Sequence, residues 1–300
     1  MELRKRAWLE ALGEPSYGFK SEPLKLRKKY EYPAFTAELY EQKNGPDTVQ
    51  RVIKVFPAGV KTPCPAVAVP FYFPEAMLGF EPETGEELPY YAGVELMVQL
   101  AKRGYASASA DAYHLTYLQS DKERGDFSRW KDAGEAVLRE HPHWTGMGKL
   151  VSDTKLLVDA LAEDPRVDAD RIGIAGHSLG GKMAFYAGCL DERVKVILSS
   201  DMGLGWDQTN WRDVWYWDNK VEALIAKGMD HADLLGCTGG KPFCLIAGEF
   251  DNMDSWDMMC KAPGYAPEEG KLKIINHATG HRPPMYALQE GYDFLDRWLK

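Results

Sequence analysis

Along this 300-residue chain, short β-branched and aromatic runs alternate with stretches of helical spacing. Phe35–Gln42 and Gln50–Gly59 read as strands joined by a loop carrying Asn44, Gly45 and Pro46. Pro65–Phe73 is an apolar run bounded by prolines, which suits a strand buried on both faces. Tyr90–Gly104 reads as a helix closed by Gly104, and Tyr105–Tyr113 as the next strand. Residues 120–148 look polar and irregular, with Trp130 and Trp144 among them. Leu150, Thr154, Leu157, Val158 and Leu161 then share one helical face. A strand over Arg171–Ala175, a helix over Leu179–Leu190 and a strand over Val194–Ser200 follow. Beyond the long segment 201–240 come strands at Pro242–Gly248 and Lys271–His277, then a final helix containing Gly291–Leu299. At the front, Trp8, Leu9 and Leu12 mark one face of a helix, so 1–34 reads as an N-terminal helical extension. The alternation predicts an α/β fold with a mainly parallel sheet covered by helices on both faces. No repeat or linker divides it, so a single domain is expected over 1–300.

Composition changes this picture little. At 45% hydrophobic the chain can bury a large core. A net charge of −9 speaks for solubility and against nucleic acid or an anionic membrane as partner. No apolar run approaches a membrane span. Cys64, Cys189, Cys237, Cys244 and Cys260 lack paired spacing and read as reduced thiols. The start MELRKRAWLE lacks the apolar core of a signal peptide. A cytoplasmic protein is the expectation. No HExxH motif or close His/Cys cluster suggests a metal, and no cofactor is expected.

The chemistry concentrates in RIGIAGHSLGGKMAFYAG, Arg171–Gly188, where Ser178 stands between Gly176 and Gly180 at a strand-to-helix turn. A serine hydroxyl is a weak nucleophile and needs a base within hydrogen-bond reach. It must also project clear of its own backbone. A sharp strand–turn–helix does this, and glycines on either side relieve the crowding. Ser178 is therefore the candidate nucleophile.

A base and an acid to orient it are needed to complete the set, and candidates for both stand after later strands. CLIAGEFDNMDSW offers Asp251 in the loop after a strand, with Asp254 just beyond it. Asp201, after the preceding strand, is the other option. Asp251 is the preferred acid. INHATGHRPPM offers His277, at a strand end, and His281, in a loop stiffened by Pro283 and Pro284. His281 is the preferred base, its imidazole oriented by the acid. His177 is expected to shape the turn with its ring pointing away from the base. His114 could line the pocket, and His231 reads as a local hydrogen-bonding residue.

DADRIGIAGHSLGGKMAFYAG, CLDERVKVILSSD, PFCLIAGEFD and GHRPPMYALQEGYDFLDRWL together resemble the α/β-hydrolase superfamily. The resemblance is to serine esterases of the dienelactone hydrolase and acetyl xylan esterase kind. It implies a Ser178–Asp251–His281 triad and an oxyanion donor in the Leu179 N–H. A second donor should come from the loop after PAVAVP, with Phe71 or Tyr72 as candidates. Here the chain departs from its relatives, reading VPFYFP where many have His-Gly. The resemblance also makes 201–240 a cap-like insertion. At least two of the four Trp rings in its stretch Gly203–Trp217 are expected to pack the insert onto the body, and others, such as Trp206 and Trp211, to lie near Ser178 beside Phe71 and His114 as substrate-binding residues.

The function expected is hydrolysis of a small-molecule carboxylic ester through an acyl-enzyme. Short acyl groups on a carbohydrate or aromatic alcohol are favoured. A serine peptidase or acyltransferase on the same fold is the alternative, as is a non-catalytic binding protein that has kept the fold.

Overall fold

A computed structural model describes residues 1–13, 22–45 and 47–300. Nine strands form one sheet: β1 (Lys25–Glu31), β2 (Phe35–Lys43), β3 (Val49–Pro57), β4 (Cys64–Ala68), β5 (Ala106–Ala110), β6 (Val167–His177), β7 (Val194–Ser200), β8 (Phe243–Ala247) and β9 (Leu272–Asn276). Their order across the sheet is β1-β2-β3-β5-β4-β6-β7-β8-β9. The β1/β2, β2/β3 and β3/β5 pairs are antiparallel, and every pair from β5 to β9 is parallel. The expected mainly parallel sheet is thus present.

Each parallel strand is apolar on both sides because helices cover both sides. One face packs Ala66, Ile172, Ile174 and Ile197 against Leu150 and Leu157 of the helix Gly146–Ala162 and Phe185 of the helix Leu179–Leu190. The other packs Val67, Ala175, Leu198 and Ile246 against Met97 and Leu100 of the helix Leu96–Lys102 and Leu288 and Leu295 of the helix Met285–Leu299. The chain leaves β4 toward β5 on one side and returns to β6 on the other. Such a reversal opens a crevice at the carboxyl ends of the strands, where ligands collect in open α/β sheets.

Several details differ from the sequence reading. The extension 1–34 is helical over Glu2–Leu12 but contributes β1, a charged edge strand of almost wholly exposed residues. Its polar KLRKKYE carries no burial pattern because the strand lies at the sheet edge, where lysines also discourage further pairing. Pro46 lies outside the described residues. The run to Phe73 stops being strand at Ala68, since Pro70 has no N–H for a ladder and Pro74 opens a short helix. Within 120–148, Phe127–Glu140 is a helix capped by the Asp126 side chain, which accepts from Ser128 N. Trp130, Ala133, Gly134 and Val137 form its buried stripe. That helical spacing was in the sequence, masked by the charges between. No helix of the described residues is long and apolar enough to cross a membrane.

Candidate active site

Ser178 sits between β6 and the helix Leu179–Leu190 with φ 56° and ψ −119°. A non-glycine residue at positive φ is strained, and such strain gathers at functional sites. Close packing sustains the turn. A methyl group at Gly176 would strike the Gly180 carbonyl oxygen, and one at Gly180 would strike that of Pro70. Ser178 N donates to Ser200 O at 2.8 Å, tying the turn to the end of β7. The Leu179 N–H is at the first helical position, where intrahelical acceptors run out.

The residue after Ser200 is Asp201, fully buried and itself at φ 44°. His281 Nδ1 donates to its Oδ2 at 2.7 Å. A carboxylate only accepts, so this bond fixes the proton on Nδ1 and leaves Nε2 as the free base of the neutral ring. The Asp201 carboxylate also accepts from the backbone N–H groups of Gly248, Glu249, Phe250 and Asp251, at 2.9–3.1 Å. Burial alone would push its pKa up. The bonds from His281 and from that turn outweigh burial and hold the carboxyl below its usual range.

Asp251, the acid preferred from sequence, is therefore not the partner of His281 in this structure. It too is fully buried, but its Oδ1 accepts from Leu204 N at 2.7 Å and Ser255 Oγ at 2.9 Å, and its Oδ2 from Gly203 N at 2.8 Å. Burial raises its pKa despite these bonds. Its lone pairs serve the turn that follows Asp201, so its effect on His281 is indirect.

The His281 ring lies between His177, centroids 4.6 Å apart, and Phe250 at 5.0 Å. His177 thus faces the base rather than turning away, and its Nδ1 lies 3.1 Å from Ser200 Oγ. Burial and then the neighbouring His281 push its pKa down to about 3, so it stays neutral beside the base. His277 Nδ1 accepts from Thr279 N at 3.2 Å and meets Thr279 Oγ1 at 2.8 Å, a local role at the end of β9.

Tyr72 packs its ring on Phe71 and Trp130, with centroids 4.4 Å away in each case. Burial raises the pKa of its hydroxyl, and the neighbouring Ser178 side chain lowers it. The sequence reading offered this residue, or Phe71, as the donor of a backbone N–H. Phe71 is buried beneath Tyr72 and Tyr91, so it supports the wall without facing solvent.

Three expected substrate-binding residues lie elsewhere. His114 is buried behind Trp130, stacked on it at 5.1 Å, and burial pushes its pKa down to about 3. Trp211 is fully buried, its Nε1 donating to Gly203 O at 2.7 Å. Trp206 donates to Met229 O at 3.2 Å and stacks on Trp8 of the first helix at 6.5 Å. Both rings pack around His231, whose Nε2 meets the Tyr186 hydroxyl at 2.7 Å. These rings form a second aromatic core on the body of the protein, because rings this large are worth most when fully desolvated.

Lys182, one turn beyond Ser178, escaped the sequence reading. Its Nζ donates to Asn210 Oδ1 at 2.7 Å and lies over the rings of Trp211 and Tyr216, at 4.4 and 4.3 Å from their centroids. Burial draws its pKa down to about 7. A lysine inside the otherwise apolar GGKMAFYAG was the available signal. Among the described residues, no three or more His, Cys, Asp or Glu side chains are grouped to hold a metal.

Solved structures match this architecture over nearly the whole chain. A CE15 glucuronoyl esterase from Teredinibacter turnerae superposes with a TM-score of 0.71 at 19% identity, covering 99% of this chain and 84% of that one. This is an α/β-hydrolase fold. A glucuronoyl esterase from Solibacter usitatus shares the fold with a TM-score of 0.67 at 14% identity, over 96% of this chain and 90% of its own. For an acetyl xylan esterase from Paenibacillus sp. R4 the values are 0.64 and 16%, over 98% and 94%. The family described as glucuronyl esterase, fungi, matches residues 152–227, the part of the hydrolase fold that carries Ser178 and Asp201. YtaP of Bacillus subtilis, named only as a hydrolase, is 23% identical over 257 residues, 82% of each chain.

Proposed function

We propose that the protein is a serine carboxylic ester hydrolase acting on small esters through Ser178, His281 and Asp201. The observation that carries this is the His281–Asp201 bond at 2.7 Å, with His281 against His177, the residue before a serine held at positive φ on a strand–helix turn. Ser178 Oγ attacks the ester carbonyl carbon and His281 Nε2 takes its proton. Asp201 stabilises the imidazolium. The Leu179 N–H and a second donor on the Phe71–Tyr72 segment receive the negative oxygen of the tetrahedral intermediate. The C–O bond then breaks and the alcohol leaves with the proton from His281. Water, activated by the same ring, releases the acid and restores the serine.

The glucuronoyl and acetyl xylan esterases of similar fold support a carbohydrate ester as substrate, and the acetyl xylan esterase supports a small acyl group on it. All five cysteines are free thiols, which supports a reducing, cytoplasmic compartment. The test is p-nitrophenyl acetate hydrolysis by the wild type and Ser178→Ala. The variant should stay folded and lose about three orders of magnitude or more in kcat. Near-normal turnover by Ser178→Ala would overturn the assignment.

A further inference from the structure

A cleft of about 920 Å³ opens beside the candidate site, lined by Tyr72, Tyr90, Tyr91, Phe127 and Trp130, with the segment 122–126 at its rim. This volume is in the range that holds a drug-sized ligand, far more than a short acyl group fills. It adjoins the reacting groups at two points. Pro70 and Phe71 lie against Gly180 of the elbow, and the next residue, Tyr72, lines the cleft with Ser178 among the groups that influence its hydroxyl. Across the opening, the Arg282 guanidinium sits over the Tyr90 ring at 4.7 Å, and Arg282 directly follows His281. The cleft wall at Tyr72 and Tyr90 therefore connects to the chain segments that carry Ser178 and His281.

The charges of this cleft are largely committed. Arg124 donates to Glu75 at 3.2 Å and to Glu81, and covers the Phe73 ring at 3.9 Å. Lys122 pairs with Asp132, and the Asp126 side chain caps the neighbouring helix. Glu123 is exposed at the rim, and Arg282, over Tyr90, donates to Ala92 O at 3.4 Å, so the two remaining charges are of opposite sign. What stays open is aromatic surface: Tyr90 is 73% exposed and Phe127 60%. Exposed rings of this size are costly to leave in water and are suited to stacking on a flat apolar ring face.

We infer that this cleft is the subsite for an uncharged ring of the ester, with Tyr90 and Phe127 as its stacking faces, and that it sets the preference of the enzyme for ring-bearing esters. A pyranose or an aryl alcohol presents the same ring face. The inference rests on the ester-hydrolase reading above.

The test compares kcat/KM for three acetates: ethyl acetate, phenyl acetate and a methyl xyloside acetate, in the wild type, Phe127→Ala and Tyr90→Ala. Either substitution should cut the ring-ester to ethyl-acetate ratio by about tenfold, mostly through KM. A ratio that falls for the xyloside alone identifies a sugar subsite, and for phenyl acetate alone an aryl subsite. Both results support the proposal. If both variants hydrolyse ethyl acetate and neither shifts either ratio, the subsite is wrong and the hydrolase reading stands. If the wild type cleaves none of the three, the hydrolase reading itself fails, and the subsite with it.

Discussion

Asp201 and Asp251 follow adjacent parallel strands, β7 and β8, at the same end of the sheet, and both are fully buried. Their environments push them in opposite directions. Asp201 has His281 and a turn of backbone N–H groups, and its carboxyl is held down. Asp251 has two N–H groups and a serine hydroxyl, and burial wins. The lesson is that burial alone does not decide the direction in which a carboxyl shifts. The donors aimed at it count as well. The two are also linked, since Asp251 N donates to Asp201 at 3.1 Å. One acid orients the imidazole and the other holds the loop that holds the first.

The largest effect should separate them by activity. Asp201→Asn should lower kcat by about three to four orders of magnitude, because an amide N–H facing His281 favours the wrong tautomer. The check is steady-state hydrolysis of p-nitrophenyl acetate, and a larger loss from Asp251→Asn would reverse the comparison. Next comes a contrast between the two aromatic regions. Trp211→Ala should cost about 3–5 kcal/mol of stability in urea denaturation, since it empties a fully buried site. Phe127→Ala should cost far less, because its ring is 60% exposed. Similar losses would mean that the insertion is not a structural core. Asp251→Asn should destabilise by about 1–3 kcal/mol, as an amide N–H replaces an acceptor facing Gly203 or Leu204. Its kcat should fall far less than that of Asp201→Asn.

The smallest effect is in the pH dependence of stability. The Asp201 carboxyl is depressed in the fold, so its contribution is present above the unfolded Asp pKa of about 3.9 and is lost as pH falls through the lower folded value. Asp251 has the opposite sign. Its contribution is complete below the unfolded pKa and is lost as pH rises through the raised folded value. Urea midpoints taken downward from pH 5 should therefore fall less steeply for Asp201→Asn than for the wild type. A steeper fall in the variant would contradict the direction of the Asp201 shift.

Much of the architecture was legible in the sequence because buried parallel strands are apolar on both faces and helices repeat at their own period. The strand before Ser178, the helix after it and the glycines around it are all visible as letters. β1 was not, because an exposed edge strand has no hydrophobic side. The choice between Asp201 and Asp251 was not legible either. Both stand after a strand in a plausible loop, and only the path of the 277–284 loop across the sheet decides which one His281 reaches. Packing of at least two of the four Trp rings onto the body was expected, but which rings would do so was not legible, for a related reason. Trp206, Trp211 and Trp217 pack against Trp8 and Tyr186, from distant parts of the chain, and no local pattern announces such a cluster.

The central claim is that Asp201 orients the base that activates Ser178. Its most direct test is the rate of fluorophosphonate labelling, followed by intact mass with the adduct mapped by peptide. The wild type should take one adduct, on Ser178, and Asp251→Asn should label at a similar or modestly reduced rate. Asp201→Asn should label slower by orders of magnitude while remaining folded by circular dichroism. Wild-type labelling in Asp201→Asn, together with loss of labelling in a folded Asp251→Asn, would contradict the account.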